Sequence, residues 1–546
     1  MASVLEKHLA KHHLGMYQKT NYSLIQLAPA INNRRPIMSI NTLYNTFKLN
    51  IALACIFSVF VFSCKGPNED PPSTRPNIVF IIADDVNWND LGAYGNDIVR
   101  TPNIDQLAKD GMLFTQAFLT TSSCSPSRTS IISGLYPHNT DAEQLSWPLP
   151  DDKNTFVEQL HNSGYWTGLA GKHHLGESVN DAFDTIYEMQ WKDAPLGLDR
   201  RLVGDGSGCD EWIKLLRSRD NNKPFFTWLA SFDAHRPFSE GIIDDPHRPE
   251  NVILPPYHPD TDSVRKDYAL YYDEISRMDD YVGKVIGELE NQGVADNTII
   301  LFITDNGRAF PRDKTTLYEG GIKTPWIIKW PSKIKPGTTN DHLVSSIDIA
   351  PTFMKFAGLE PLSEFEGKDF TPLLNNNSAP IRDQIYAEDH FHDFEDYTRA
   401  IRTTEYKYIK NFYPDLPNTP SADIIRDLTW KSMLSEKEKK LLNEAQMRCF
   451  IIPRPTEELY DIANDPNELN NLAQNEAHAN ILTDMRSRLK KMRNTTNDSL
   501  PIARTNDDFF RDTGLPTKYR LRPRPSKDIM MKAMLAGEEL INPDFE

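Results

Sequence analysis

Four apolar runs in the first part of the chain each stop at charged residues. They are residues 78–83 (IVFIIA), 166–171 (WTGLAG), 225–232 (FFTWLASF) and 299–304 (IILFIT), followed respectively by Asp84-Asp85, Lys172-His173-His174, Asp233-Ala234-His235-Arg236 and Asp305-Asn306-Gly307. A continuous apolar run of this length is typical of a parallel strand that is buried on both faces of its sheet. Because ligands bind beyond the carboxyl ends of parallel strands, the four runs predict one shared site at one edge of a sheet.

Helical segments lie between these runs. Ahead of the fourth run, apolar residues recur at spacings of three and four, as on one face of a helix. They are Ile275, Met278, Val282, Ile286 and Leu289, and Gly293 is expected to end the helix. The alternation of strands and helices predicts an α/β fold, with a large, mostly parallel or mixed sheet that carries helices on both faces.

The pattern changes after about residue 380. Residues 397–412 (YTRAIRTTEYKYIKNF) alternate and are rich in Tyr, Thr and Ile, which predicts an antiparallel hairpin. Residues 435–447 and 479–492 are typical of charged, exposed helices. We therefore expect a large catalytic domain at residues 77–380, a smaller α+β domain with an antiparallel sheet at 381–501, and a polar tail at 502–546 that wraps the surface or is loose.

The N-terminal residues have the features of an export signal. The apolar run at residues 51–62 follows Lys48, is too short for a comfortable membrane span, and is typical of a signal-peptide core. It ends at Ser63-Cys64, and a small residue followed by cysteine resembles a bacterial lipoprotein cleavage site in which Cys64 carries the lipid. Residues 1–64 are thus interpreted as an extension with a lipoprotein signal peptide, and 65–76 as a Pro-rich linker.

This interpretation predicts an exported lipoprotein, held at the periplasm or the cell surface only by its lipid anchor. The alternative is a plain signal peptide that is cut nearby. Met38 offers a second possible start beside Met1, and with that start the first 37 residues are not part of the protein.

Composition excludes some classes of function. The net charge of −17 over 546 residues argues against a nucleic-acid partner, because nucleic-acid binders are basic. It also means that an anionic substrate needs a local basic pocket. Outside the N-terminal stretch and the Cys124 motif, only Cys209 and Cys449 could form a disulfide, and no sequence feature supports that pairing.

A cysteine motif, Cys124-Ser125-Pro126-Ser127-Arg128, offers a nucleophile beside an anion site. Pro126 is well placed for the first turn of a helix, and Ile131, Ile132 and Leu135 give that helix an apolar side. Cys124 is then expected just before the helix N-terminus, where free N–H groups and the Arg128 guanidinium converge. The alternative is a buried, inert cysteine, which the flanking Ser and Thr residues make less favourable.

Oxygen ligands for a metal ion are expected at two of the strand ends. Asp84 and Asp85 follow the first run, and Asp305 and Asn306 follow the fourth. Carboxylate and amide oxygens without paired Cys or His favour Ca²⁺ or Mg²⁺. Any one of these residues could instead cap a helix or a turn.

The Cys-x-Pro-Ser-Arg motif resembles the signature of the type I sulfatases of the alkaline phosphatase superfamily. The resemblance implies an alkaline phosphatase-like fold and a maturation enzyme that oxidises Cys124 to formylglycine (3-oxoalanine), whose hydrated aldehyde is the nucleophile. It also implies that Asp84, Asp85, Asp305 and Asn306 hold Ca²⁺, rather than Mg²⁺, in contact with the residue derived from Cys124.

The same resemblance implies roles for basic residues. Gly171-Lys172-His173-His174-Leu175-Gly176 is similar to the family's Lys-x-His segment, with His173 in place of the usual Trp, so spacing assigns the catalytic role to His174. His235 matches the second catalytic histidine, and Lys314 the second sulfate-binding lysine. Arg128, Lys172 and Lys314 would neutralise a sulfate ester, His235 would protonate the leaving atom, and His174 would take a proton so that sulfate is expelled.

The resemblance is strongest to the sulfamidase (heparan N-sulfatase) branch, through Ser-Ser-Cys-Ser-Pro-Ser-Arg, Arg277-Met278-Asp279, and Asp305-Asn306-Gly307 followed by Phe310-Pro311. Together with the lipoprotein start, it indicates a bacterial enzyme that digests sulfated polysaccharides, with algal ulvan favoured. Glycosaminoglycan N-sulfate is one alternative. A phosphatase or phosphodiesterase of the same superfamily is another, against which Cys124 and Asn306 argue. A non-catalytic glycan-binding lipoprotein is a third, against which the argument is that every proposed catalytic position is filled.

Overall fold

The strands in chain order are β1 (Asn77–Ala83), β2 (Met112–Phe114), β3 (Ala117–Phe118), β4 (Trp166–Gly171), β5 (Thr185–Glu188), β6 (Trp191–Asp193), β7 (Arg200–Leu202), β8 (Phe225–Ala230), β9 (Thr298–Thr304), β10 (Ile327–Lys329), β11 (Thr338–Asn340), β12 (Val344–Ser345), β13 (Ile385–Asp389), β14 (Thr398–Arg402), β15 (Tyr406–Asn411) and β16 (Glu457–Asp461). An eight-stranded mixed sheet lies at the centre of the fold, with the strand order β11-β2-β10-β9-β1-β8-β4-β5. A separate antiparallel sheet has the order β13-β14-β15-β16.

The helices in chain order are α1 (Pro102–Asp110), α2 (Cys124–Ser133), α3 (Pro137–Thr140), α4 (Phe156–Asn162), α5 (Trp212–Ser218), α6 (Asp262–Asn291), α7 (Glu319–Ile322), α8 (Ile349–Phe356), α9 (Ala422–Ile425), α10 (Leu428–Glu438), α11 (Glu444–Met447), α12 (Ala479–Thr496) and α13 (Lys527–Ala536).

This computed structural model describes residues 75–189, 191–193, 200–202, 204–375, 379–521 and 524–542, with the backbone alone at 191–193 and 200–202. The predicted signal peptide and Cys64 lie outside these residues. Within the described ranges, no helix is both long enough and apolar enough to cross a membrane. The domain boundaries expected from the sequence stay predictions.

The four predicted strands lie side by side in the middle of the large sheet. β1 pairs in parallel with both β8 and β9, and β4 pairs in parallel with β8. Every residue of these four strands is buried, as continuous apolar runs predict. Because β10 runs antiparallel to β9 and β2, the sheet is mixed rather than wholly parallel.

Helices cover both faces of this sheet, as the sequence predicts. Alternate residues of β1 point into two different apolar clusters, because successive side chains of a strand face opposite sides. One cluster includes Ile78, Phe80 and Ile82 with residues of α4 and α8. The other includes Val79 and Ile81 with residues of α1, α5 and α6.

The hairpin predicted at residues 397–412 is confirmed as the antiparallel pair β14–β15. The single helix predicted at 435–447 is wrong. α10 ends at Glu438, Lys440 has a positive φ of 60°, and α11 starts at Glu444. The start of α11 is a capping box, in which Asn443 Oδ1 accepts from Gln446 N at 2.9 Å and Gln446 Oε1 accepts from Asn443 N at 3.0 Å. The Asn-x-x-Gln signal in the sequence marks this break.

Part of the tail beyond residue 501 packs against the rest of the protein. Phe509 packs in an apolar cluster with Trp430, Met433 and Cys449. Cys209 and Cys449 are both buried and both free, so the one disulfide that the sequence allows does not form.

Candidate active site

The carboxyl ends of β1, β8, β4 and β9 bring the predicted site residues together with the start of α2. Backbone hydrogen bonds extend past the strands: Asp305 N donates to Ala83 O at 3.0 Å, and Ala234 N donates to Asp84 O at 2.6 Å. Gly171, at the end of β4, has a φ of 94°, and a Cβ added there would lie 1.8 Å from Ala230 O. Only glycine fits this position, which sets the course of the chain into Lys172.

Cys124 is the first residue of α2, so the predicted position at a helix N-terminus is confirmed. Ser123 precedes the helix in an extended conformation, and Ser127 N donates to Ser123 O at 2.9 Å. Every residue of α2 is buried, and Ile131 and Ile132 join the apolar core. The polar first turn of α2 thus faces the site, while Ile131 and Ile132 anchor the helix in the apolar core.

The Cys124 thiol is 2% exposed and lies 3.7 Å from Asp84 Oδ1. Burial raises the pKa of the thiol well above its ordinary value, although the charges of Lys172 and Lys314 act in the opposite direction. The thiol is therefore protonated at neutral pH, and the unmodified cysteine is a poor nucleophile.

Three carboxylates at the site each face one cation. Lys172 donates to Asp84, and Lys314 Nζ donates to Asp85 Oδ2 at 2.8 Å. The third pair joins Arg128 Nε to Asp305 Oδ2 at 2.8 Å. These six side chains are all at most 6% exposed, so water screens their charges little.

The carboxylates keep the site cations charged in spite of burial. For Lys314, burial lowers the pKa, but the carboxylates of Asp423 and Asp85 outweigh it and raise the pKa well above its ordinary value. For Lys172, burial is likewise outweighed, chiefly by Asp84. Lys172 and Lys314 therefore stay charged and can face an anionic substrate.

The donor set fits a hard cation. Ligand atoms of Asp84, Asp85, Cys124 and Asp305 all lie within 4.8 Å of one another. Asn306 is fully buried, and among the residues that the structure describes its Oδ1 has no hydrogen-bond partner, whereas its amide nitrogen donates to Gly307 O at 2.9 Å. An orphaned buried oxygen beside three carboxylates is what an oxygen-coordinated ion such as Ca²⁺ requires.

The two adjacent histidines of the Lys-x-His segment both line the same cavity. His174 Nε2 lies 3.3 Å from Ser146 Oγ, and the residue has a positive φ of 54°. His173 Nδ1 accepts from Leu175 N at 3.4 Å, and burial lowers the pKa of His173 to about 4. The choice of His174 as the catalytic residue therefore continues to rest on spacing.

His235 sits on the loop that follows β8. Its Nδ1 is 2.6 Å from Arg236 O, and its Nε2 is 3.8 Å from Asp423 Oδ2. A bidentate ion pair holds this loop: Arg277 of α6 donates to both carboxylate oxygens of the fully buried Asp233, at 2.8 and 2.5 Å. The Arg277-Met278-Asp279 stretch also fixes α1, since Asp279 Oδ1 accepts from Ile104 N at 2.7 Å.

A cavity of about 390 Å³ opens onto this site. Of the residues predicted from the sequence, it is lined by Cys124, Lys172, His174 and His235. It is also lined by residues that the sequence did not single out, among them Arg236, His392, Asp393, Asp423, Arg426, Phe509 and Arg520. Arg236 follows a predicted strand end and could have been found from that pattern. The others come from the C-terminal part of the chain, where no sequence signal marks them.

The chain matches two family models. Residues 76–359 match the model described as sulfatase, and residues 309–444 match that described as N-sulphoglucosamine sulphohydrolase, C-terminal.

Two curated relatives and one solved structure illustrate the likeness. An ulvan-active sulfatase of Formosa agariphila is 29% identical over 473 residues, which cover 76% of this chain and 74% of the relative. N-sulphoglucosamine sulphohydrolase of Homo sapiens is 28% identical over 470 residues, covering 78% and 91%. A protein solved in complex with its substrate D-glucosamine-2-N,6-O-disulfate has a TM-score of 0.61 and 21% identity, covering 78% of this chain and 99% of the other. At that identity the structural likeness shows the fold alone.

Proposed function

The chain belongs to the sulfatase family, and we propose that it removes sulfate esters from an algal polysaccharide such as ulvan, or from its oligosaccharides, through a formylglycine made from Cys124. It is a sulfuric ester hydrolase whose substrates are sulfated carbohydrates. The observation that carries the proposal is the convergence of three buried cations, Arg128, Lys172 and Lys314, with Cys124. A buried cluster of positive charge beside a potential nucleophile suits an anionic ester.

The proposed reaction uses both the modified residue at position 124 and the basic side chains around it. Hydrated formylglycine would supply the attacking oxygen and a second hydroxyl, whose deprotonation would re-form the aldehyde and expel the sulfate carried by the first oxygen. The protonated Cys124 thiol offers neither. Lys172 and Lys314 bind and neutralise the sulfate oxygens, while Arg128 holds Asp305 in place. His235 donates a proton to the leaving oxygen, and His174 accepts one from the group at position 124.

We also propose that the site binds a metal ion. Asp84, Asp85, Asp305 and Asn306 would hold Ca²⁺, which adds positive charge beside the sulfate. Arg128, Lys172 and Lys314 balance Asp84, Asp85 and Asp305, and Asp423 adds a fourth carboxylate, so the charge of the metal would offset the negative charge that an anionic substrate brings. A chelator is then expected to lower activity, and Ca²⁺ to restore it.

A second candidate substrate is N-sulfated glucosamine. The match of residues 309–444 to the C-terminal model of N-sulphoglucosamine sulphohydrolase and the similarity to the human enzyme favour it. The charge chemistry is the same for an N-sulfate, and His235 would then protonate nitrogen rather than oxygen.

The test is release of inorganic sulfate from ulvan, heparan, chondroitin and carrageenan oligosaccharides by protein co-produced with a formylglycine-generating enzyme. We expect ulvan fragments to be desulfated fastest, and the Cys124→Ser variant to lose the activity. Preference for N-sulfated heparan fragments would select the second candidate instead. Faster hydrolysis of 4-nitrophenyl phosphate than of every sulfate ester would overturn the proposal in favour of a phosphatase.

A further inference from the structure

Asp423 is a carboxylate in the catalytic cavity that the reaction proposed above does not use. It belongs to α9 (Ala422–Ile425), in the C-terminal part of the chain, and lines the cavity together with Cys124 and His235. Its side chain is 19% exposed, so it is open to a molecule that enters the cavity. A negative charge beside cations that bind sulfate opposes sulfate binding, so its presence needs a separate explanation.

One oxygen of this carboxylate is fixed by the protein. Asp423 Oδ1 accepts hydrogen bonds from Ser421 Oγ and from Ile424 N, the latter at 2.9 Å. Oδ2 lies 3.5 Å from Lys314 Nζ and 3.8 Å from His235 Nε2. Charge-assisted hydrogen bonds are about 2.7–2.9 Å long, so both of these contacts are long and leave Oδ2 with capacity for a further donor.

The surrounding charges keep Asp423 ionised. Burial works against ionisation, but Lys314 and His235 hold the pKa of the carboxyl well below its usual range. Asp85, His235 and Asp423 also have ligand atoms within 4.8 Å of one another. Lys314 contacts both carboxylates of that group, so an ammonium already supplies the positive charge there.

We propose that Asp423 selects the sugar: its Oδ2 accepts a hydrogen bond from a hydroxyl on a carbon next to the sulfated one. The leaving oxygen must approach His235 Nε2, and Asp423 lies beside that atom. Neighbouring oxygens on a pyranose ring are about one hydrogen-bond length apart, so the adjacent hydroxyl reaches Asp423 when the ester oxygen reaches His235. A second sulfate or a carboxylate at that position faces the Asp423 charge and is rejected.

This inference rests on the proposed sulfatase function and narrows its substrate class to sugars with a free hydroxyl beside the sulfate. A role confined to holding Lys314 and His235 makes a different prediction, because Asp423→Asn would then lower kcat/KM by the same factor on a sulfated sugar and on its analogue without the neighbouring hydroxyl. Substrates with and without the neighbouring hydroxyl therefore separate the two roles.

The experiment compares kcat/KM of the wild type and Asp423→Asn on four substrates. The first is 4-nitrophenyl sulfate, which has no neighbouring hydroxyl. The second is the sulfated monosaccharide that corresponds to the sugar desulfated fastest by the wild type in the oligosaccharide screen above. The others are its analogues with that hydroxyl removed or sulfated. Asp415→Asn is the matched control, because Asp415 is 60% exposed and pairs only with Arg504 at the surface among the described residues.

We expect Asp423→Asn to lose about 10–100-fold on the monosaccharide, the value of a charge-assisted hydrogen bond, and a clearly smaller factor on its deoxy analogue. The kcat/KM of the wild type should be lower on the deoxy analogue than on the monosaccharide by a similar factor, and this comparison does not depend on the folding of a variant. The disulfated analogue should be poor for the wild type and better for Asp423→Asn. 4-Nitrophenyl sulfate measures any effect of the variant on sulfate binding itself. Equal losses of Asp423→Asn on the monosaccharide and on its deoxy analogue, or no loss of the wild type on the deoxy analogue, would overturn the inference. If the wild type releases no sulfate from any substrate, the proposed function itself has failed.

Discussion

Lys314 is a cation that contacts two carboxylates of the site, those of Asp85 and Asp423. It contacts Asp85 at 2.8 Å and Asp423 at 3.5 Å and is 1% exposed. We predict that Lys314→Ala lowers kcat/KM for sulfate esters about 10²–10³-fold, as the loss of one preorganised charge in a buried site does. Sulfate release measured beside Lys214→Ala, whose lysine is 58% exposed, checks this. A decrease of less than twofold for Lys314→Ala would show that the residue does not bind the sulfate.

At the scale of residues, the strand-end side chains could be predicted and the C-terminal ones could not. Asp84, Lys172, His235 and Asp305 each follow an apolar run, so strand geometry alone brings them to one edge. Lys314 was predicted only because its position resembles that of a lysine in a family motif. Asp423 reaches the cavity through the packing of a short helix from a distant part of the chain, and no local pattern encodes that contact.

At the scale of elements, α6 (Asp262–Asn291) anchors the loop that carries His235 through an ion pair with Asp233. Arg277 donates to both oxygens of Asp233, which is two residues before His235 and 0% exposed. We predict that Arg277→Met lowers the free energy of unfolding by about 3 kcal/mol, because it leaves a buried carboxylate without its partner. It should also lower kcat, since the His235 loop loses its anchor.

Urea unfolding followed by fluorescence measures the change in the free energy of unfolding of Arg277→Met, and sulfate release measures the change in its kcat. Arg217→Met is the matched control: Arg217 pairs with Glu288, but its side chain is 66% exposed, so the variant should change stability by less than about 1 kcal/mol. If Arg277→Met is no less stable than this control, the ion pair does not support the loop.

The elements themselves were predictable where periodicity was strong. The four buried strands and α6 follow from apolar patterns, and the hairpin β14–β15 follows from alternation. The break between α10 and α11 was missed because it depends on a local capping box at Asn443, which competes with an otherwise continuous helical composition.

At the scale of the whole molecule, buried neutral histidines make stability depend on pH. Burial lowers the pKa of His258 from 6.5 to about 4, and its Nε2 lies 2.7 Å from Pro311 O. Between these pH values the unfolded chain binds a proton that the folded chain does not, so stability falls as the pH decreases from about 6.5 to about 4. The contribution of His258 to this loss is about 2 kcal/mol at pH 5.

Urea midpoints at pH 7.5 and pH 5 test this. The wild type should lose more stability between the two values than His258→Gln, which has no ionisable group there. His161, whose side chain is 35% exposed, supplies the control variant His161→Gln. Equal losses in wild type and His258→Gln would mean that His258 is not a source of the pH dependence.

A lipid anchor on Cys64 would also affect the whole molecule, and the sequence is the basis for proposing it. We predict that the protein produced in a bacterial host partitions into the detergent phase of Triton X-114 and that Cys64→Ala moves it to the aqueous phase. Aqueous partition of the unchanged protein would favour a plain signal peptide.

Conversion of Cys124 into the nucleophile of a sulfate-ester hydrolase can be tested by one paired measurement. The mass of the peptide that contains Cys124 is determined on the same preparation whose sulfate release is assayed, with Cys124→Ala in parallel. We expect a peptide about 18 Da lighter than the cysteine form, sulfate release in proportion to the fraction converted, and none from Cys124→Ala. Undiminished sulfate release from Cys124→Ala would show that the residue at position 124 is not the nucleophile.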